Sequence, residues 1–144
     1  MLNLRAQSNI DSGVFDLDCF QPLGFHDKET DQIGDDFCWT NYHFCIKSKK
    51  ESIKNITIHF FNIFEAKNIF ISTFKQNKSL SLKKGESVLY IPIVKLENIN
   101  IFIDPCEKMG VDPRKKMGCI VKRVFFSDGE DRLISFIDTD EIPQ

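Results

Sequence analysis

A chain of 144 residues with 42% hydrophobic and 28% charged residues has the size and composition of one globular domain around one core. Its 19 lysines and arginines against 21 aspartates and glutamates leave a net charge of −2, which argues against a protein whose affinity rests on neutralising nucleic-acid phosphates. No stretch approaches the ~18 continuous apolar residues of a spanning helix, so no membrane span is expected.

The N-terminal "MLNLRAQSNIDSGVF" lacks an apolar run of signal-peptide length. The five cysteines (Cys19, Cys38, Cys45, Cys106 and Cys119) are odd in number and sit mostly inside apolar patterns. Together these features predict free thiols in a reducing compartment, that is, a cytoplasmic protein. Residues 1–12 and 138–144 read as loosely held ends, with a single domain over 13–137 between them.

Residues 21–36, "QPLGFHDKETDQIGDD", form a long polar segment rich in turn residues, and segments of that kind are commonly functional or disordered. It leads into the only tryptophan, Trp39. From residue 37 onward apolar residues alternate with period two. "FCWTNYHFCIK" (37–47) is one long strand or two short ones around a bend. "KNITIHFF" places Ile56, Ile58 and Phe60 on one face, and "NIFISTFK" sets Ile69, Ile71 and Thr73 against Phe70 and Phe74. "SLSLKKGES" carries Leu80 and Leu82 on one side and turns at Lys84-Gly85. "SVLYIPIV" contains Pro92, which cannot donate to a ladder and so predicts an edge or a bulge. "NINIFID" aligns Ile99, Ile101 and Ile103, and "GCIVKRVFF" and "RLISFID" complete the set, with Asp128-Gly129 between them as a hairpin signal.

No segment sustains a 3.6-residue apolar repeat over a helical length. The 14 phenylalanines suit a pleated, half-buried surface. The expected fold is all-β: an antiparallel β-sandwich of about eight strands, jelly-roll-like in connection.

Chemistry is sparse in this pattern. Cys38, His43 and Cys45 have the spacing C-x4-H-x-C, without the CxxC-type pairs that bring two sulfurs onto one zinc, and they read as cysteines on a strand. No metal and no cofactor are expected. The histidines His26, His43 and His59 are scattered, and no nucleophile sits in a recognisable turn, so no catalytic residues are assigned. His26 lies in the acidic segment beside Asp27 and Glu29. Arg114 follows Pro113, which fixes the backbone, and Asp112, which is placed to cap the turn. An arginine held in this way can fork onto Glu29 or Asp36 and tie the 21–36 segment to the sandwich. Lys115 and Lys116 read as solvated.

Two stretches resemble a known type of domain. "GFHDKETDQIGDDFCWT" (24–40) is similar to a pattern of glycine-aromatic, an acidic residue, then an aromatic-x-Trp-Ser/Thr strand, through Gly24, Phe25, Glu29, Trp39 and Thr40. "DPCEKMGVDPRKKMGCIVKRVFF" (104–126) is similar to a later pattern through Asp112, Arg114, Gly118, Val121 and Val124, with Met117 in place of leucine. Both patterns occur in β-sandwich domains that accompany bacterial glycosyltransferases and other proteins of O-antigen and capsule assembly. The resemblance spans about residues 15–137. It implies a non-catalytic accessory module of surface-polysaccharide biosynthesis, either binding carbohydrate itself or docking a glycosyltransferase or other glycan-assembly enzyme. In the carbohydrate reading, Trp39 stacks on the sugar while Glu29, His26, Arg114 and Asp112 supply hydrogen bonds.

Overall fold

The computed structural model describes residues 10–11, 20–48, 51, 53–63, 65–74, 76–93, 98–104, 117–127 and 134–137. Among them there is no helix. In chain order the strands are β1 (Ile10–Asp11), β2 (Phe20–Phe25), β3 (Glu29–Thr30), β4 (Asp36–Ser48), β5 (Asn55–Asn62), β6 (Lys67–Ser72), β7 (Asn77–Leu82), β8 (Gly85–Pro92), β9 (Asn98–Ile103), β10 (Ile120–Ser127) and β11 (Ser135–Ile137). Every ladder between them is antiparallel.

Two strand sets form the layers, one ordered β1-β10-β5-β8 and the other β4-β9-β6-β7. The chain passes from one set to the other at every connection in the series β1, β4, β5, β6, β7, β8, β9, β10 except β6–β7, which is a hairpin within one layer. This alternation is the double Greek key of a jelly roll. β4 hinges the layers together, since Cys38 and Trp39 pair with β10 while residues 43–47 pair with β9. β11 extends the first layer beyond β8, and β2 and β3 pair with β4. The expected antiparallel β-sandwich is therefore the observed architecture.

The facing sides of the layers share one core. β4 contributes Phe44 and Ile46, β5 Ile56, Ile58 and Phe60, β6 Ile69 and Ile71, β9 Ile99, Ile101 and Ile103, and β10 Val121, Val124 and Phe126. Burying such a side chain fully is worth about 1.5–3 kcal/mol, so this alternation is the main force that selects the register.

The two layers differ on their outer sides, and the difference follows from sequence. In β5 and β8 the residues out of phase with the core are buried as well: Thr57, Val88 and Tyr90 are each 1% exposed. "SVLYIP" is nearly continuous in apolar character, as a strand covered on both faces must be. "NINIFI" and "KNIFIS" alternate strictly, and β9 and β6 accordingly alternate between buried and accessible residues. The outer face of β4-β9-β6-β7 is thus open.

Several local expectations are refined. The 37–47 stretch lies within one thirteen-residue strand, β4, whose register against β2 shifts between Leu23 and Phe25. At the shift Gly24 adopts φ +84°, and a Cβ there would lie 2.5 Å from His43 O, so only glycine allows the strands to close. The polar 21–36 segment is not one open loop. It contains β2 and β3, and the turn between β3 and β4 is held by Asp31 Oδ1, which accepts from Ile33 N (3.0 Å) and Asp35 N (2.9 Å). The expected β10–β11 hairpin does not form: β11 pairs with β8, because β5 occupies one edge of β10 while β4 and β1 occupy the other. Asp128-Gly129 lies outside the described residues. Pro92 fits its strand because, among the described residues, β11 pairs along β8 only as far as Tyr90 and Pro92 pairs with Asn55 alone. β1 falls inside the stretch read as a loose end.

Candidate functional site

The open face of the second layer carries a definite arrangement of side chains. Direct cross-strand partners share a face. The pairings His43↔Phe102, Phe102↔Phe70 and Phe70↔Ser79 therefore set one row across β4, β9, β6 and β7. The neighbouring row runs Leu23, Cys45, Asn100, Ser72, Asn77. The first row is aromatic at its centre and the second is mostly amide and hydroxyl.

The aromatic row is exposed, with Phe102 at 43% and Phe70 at 39%. The His43 ring lies flat on Phe102, with centroids 4.3 Å apart and planes 7° from parallel. Phe70 stands beside Phe102 at 6.2 Å and 48°. Asn100 fixes the histidine, its Oδ1 lying 2.9 Å from His43 Nε2 and accepting from Cys45 Sγ at 3.0 Å. A carbonyl oxygen only accepts, so Nε2 carries the ring hydrogen.

Cysteine, histidine and asparagine together invite comparison with a thiol nucleophile and its base, but the wiring differs. The nitrogen nearest the sulfur, at 3.5 Å, is Nε2, whose hydrogen already serves Asn100. Burial pushes the Cys45 thiol above its ordinary value, away from the thiolate that such chemistry needs. The trio instead locks the imidazole against Phe102. Among the described residues no group of three or more His, Cys, Asp or Glu side chains is placed to hold a metal ion.

At the β6–β9 end of the aromatic row a shallow open pocket of about 160 Å³ is lined by Asn68, Phe70, Ser79, Phe102 and Asp104, among others. Asp104 directly follows β9, and its Oδ2 accepts from the backbone N of Asn68 at 2.9 Å. That bond, with Asp104 N donating to Asn68 O at 3.1 Å, fixes the carboxylate at the pocket rim.

Those residues singled out from sequence that the structure describes lie elsewhere. Trp39 is 5% exposed and packs with Met117, Ile120 and the half-buried Phe37, Phe61 and Ile63 in a small second core. His26 is adjacent through its backbone: its N donates to Trp39 O at 2.8 Å, and Cys38 Sγ donates to its carbonyl at 2.7 Å. Its Nε2 is buried without a hydrogen-bond partner. Glu29 is half-buried in β3 opposite Phe37. Asp36 bridges to Lys28 at 3.5 Å. Asp112 and Arg114 lie outside the described residues.

The two stretches that carry the resemblance do meet. Trp39 pairs with Ile120, Thr40 N donates to Cys119 O (2.8 Å), Gly118 N donates to Thr40 O (2.7 Å), and the buried Thr40 Oγ1 accepts from Cys119 N (3.1 Å). A Cβ on Gly118 would come within 2.5 Å of Ile103 Cγ2 and 2.6 Å of Asn41 O. Small residues at 24 and 118 thus permit close strand contact.

Phe102, Phe70, Asn100, His43 and Asp104 were not assigned to a site from sequence. Their signal was the phase of "NIFIS" and "NINIFI", in which phenylalanine falls opposite the isoleucines.

Among the described residues no helix is long and apolar enough to cross a membrane. Fold and site together define an antiparallel jelly-roll sandwich with one open sheet face of aromatic and amide character. The chain matches no known protein family, curated protein or solved structure.

Proposed function

We propose that this protein is a non-catalytic carbohydrate-binding module and that the open face of β4-β9-β6-β7 is where the saccharide lies. The observation that carries this reading is the exposed row His43–Phe102–Phe70 with Asn100, Ser72 and Ser79 beside it. A pyranose has an apolar C–H face and an equatorial rim of hydroxyls. The parts of the rings that the stack leaves exposed offer the first an apolar strip, and Ser72, Ser79 and Asn77 offer the second donors and acceptors at strand spacing. The resemblance of residues 24–40 and 104–126 to glycan-assembly accessory domains favours a bacterial surface polysaccharide as the source of the sugar. Under this reading the Trp39 cluster is a support for the sandwich, and the ligand site moves from the loop rim to the sheet face.

The test is an amide-resolved NMR titration with linear neutral oligosaccharides at millimolar concentration. Saturable shifts confined to β4, β6, β7 and β9, lost in Phe102→Ala while the remaining spectrum stays dispersed, support the proposal. A panel that leaves the spectrum unchanged overturns it, and so do shifts centred on β10 or on residues around Trp39.

A further inference from the structure

Resting on that reading, we infer that the pocket beside Phe70 and Phe102 selects a sugar bearing a free amine, with Asp104 as the residue that recognises the ammonium. Asp104 is the one charged side chain among the pocket's lining residues. The hydrogen bond from Asn68 N occupies Oδ2 alone and holds the carboxylate in place. Among the described residues the ion pair is Lys28–Asp36, remote in sequence from this site, and none involves Asp104. A fixed carboxylate with one oxygen open to solvent attracts a cation and repels a second carboxylate.

The rest of the pocket fits the same ligand. Phe70 and Phe102 are exposed beside the carboxylate and give the C–H groups of a sugar apolar surface to cover. Ser79 and Asn68 supply hydroxyl and amide groups for hydroxyls next to the amine. A hexosamine unit meets all three demands at once, with its C–H face on the rings, its ammonium toward Asp104 and its hydroxyls toward the serine and asparagine. An N-acetylated unit has no charge to offer, and a uronate carries the wrong one.

The experiment compares cellotetraose, the fully deacetylated β-1,4-glucosamine tetramer and a tetrauronate by calorimetry, at mildly acidic pH where the sugar amine is protonated. The amino tetramer is expected to bind about three- to fivefold more tightly than cellotetraose, the size expected of a solvent-reachable ion pair. The tetrauronate is expected to bind most weakly. In Asp104→Asn, which keeps an oxygen to accept from Asn68 N, the ratio of the two affinities should fall to about one. Added salt should shrink the preference in the unaltered protein, a readout independent of any variant.

Equal affinity for the neutral and amino tetramers overturns the inference and leaves the carbohydrate reading standing. A preference that survives Asp104→Asn or high salt also overturns it. Failure of every tetramer to bind removes the carbohydrate reading itself.

Discussion

Two phenylalanines on adjacent strands should respond very differently to truncation. Phe44 of β4 points into the core, is 0% exposed, and meets Phe25 and Phe60 edge-on with centroids at 5.2 and 6.3 Å. Cutting such a side chain to alanine loses its transfer free energy and leaves a cavity, at about 3–5 kcal/mol. Phe102 of β9 points outward and is 43% exposed, so little more than half of its surface is withdrawn from water. Full burial of phenylalanine is worth about 1.5–3 kcal/mol, so its covered part contributes about 1–1.5 kcal/mol. The stack on His43 adds about 0.5 kcal/mol, and an open face leaves no cavity term. Phe102→Ala is therefore expected to cost about 1.5–2 kcal/mol, roughly half the loss in Phe44→Ala or less. Urea unfolding in reducing buffer measures both, with emission from the single, buried Trp39 as reporter. Equal losses in the two variants would show that the outer face is covered in solution, and the proposed binding surface would fall with that result.

Thr40→Val keeps the shape of a fully buried side chain but removes the oxygen that accepts from Cys119 N, so it should cost about 1–3 kcal/mol, and Thr40→Ser less, by the same urea assay. A loss in Thr40→Val no larger than in Thr40→Ser would mean that the hydroxyl is not what joins the two stretches. At Cys45 burial raises the thiol, so the folded chain holds that proton more tightly than the unfolded one. Its contribution to stability is present below the unfolded thiol value and is lost as pH rises through the folded one. The rate of Cys45 alkylation, followed peptide by peptide, should accordingly climb at higher pH in the folded protein than in urea, and a coincident or lower profile would refute the assignment.

The strands were legible because period-two alternation is enforced by the core. Ile56, Ile58 and Phe60, or Ile99, Ile101 and Ile103, must face one way or the register fails. The pairing of β11 was not legible, since Asp128-Gly129 is a local signal and the choice between β10 and β8 depends on which edges are vacant. The polar 21–36 segment concealed β2 because Pro22 and Gly24 interrupt the pattern, although Gly24 is what lets β2 close on His43. The same local logic drew attention to Trp39, the rarest aromatic, when its indole fills a small core against Met117 and Ile120. A ring can face solvent only if the layer outside it is missing, and that is a property of the assembled sheets. The sequence phase of Phe70 and Phe102 carried half of that information, and the uncovered state of one layer carried the rest.

The make-up of the open face also bears on which kind of partner suits it. A stable protein interface covers about 800 Å² on each side and has a depleted polar centre. Here two exposed phenylalanine rings lie beside the hydroxyl of Ser72 on β6 and the amide of Asn77 on β7. A protein docking there would have to satisfy each of those groups or bury it unpaired, at about 1–3 kcal/mol apiece. A saccharide brings hydroxyls to the same groups and asks only for an apolar strip beside them. The strip is held in advance: Phe102 sits on a central strand bonded on both edges, and Asn100 pins the imidazole that lies flat on it. Ordering a mobile side chain on binding costs about 0.5–1.5 kcal/mol, a toll that weakly bound ligands can least bear. A platform whose rings are already fixed avoids it, which is why rigidity at Asn100 and openness at Phe102 belong to one design.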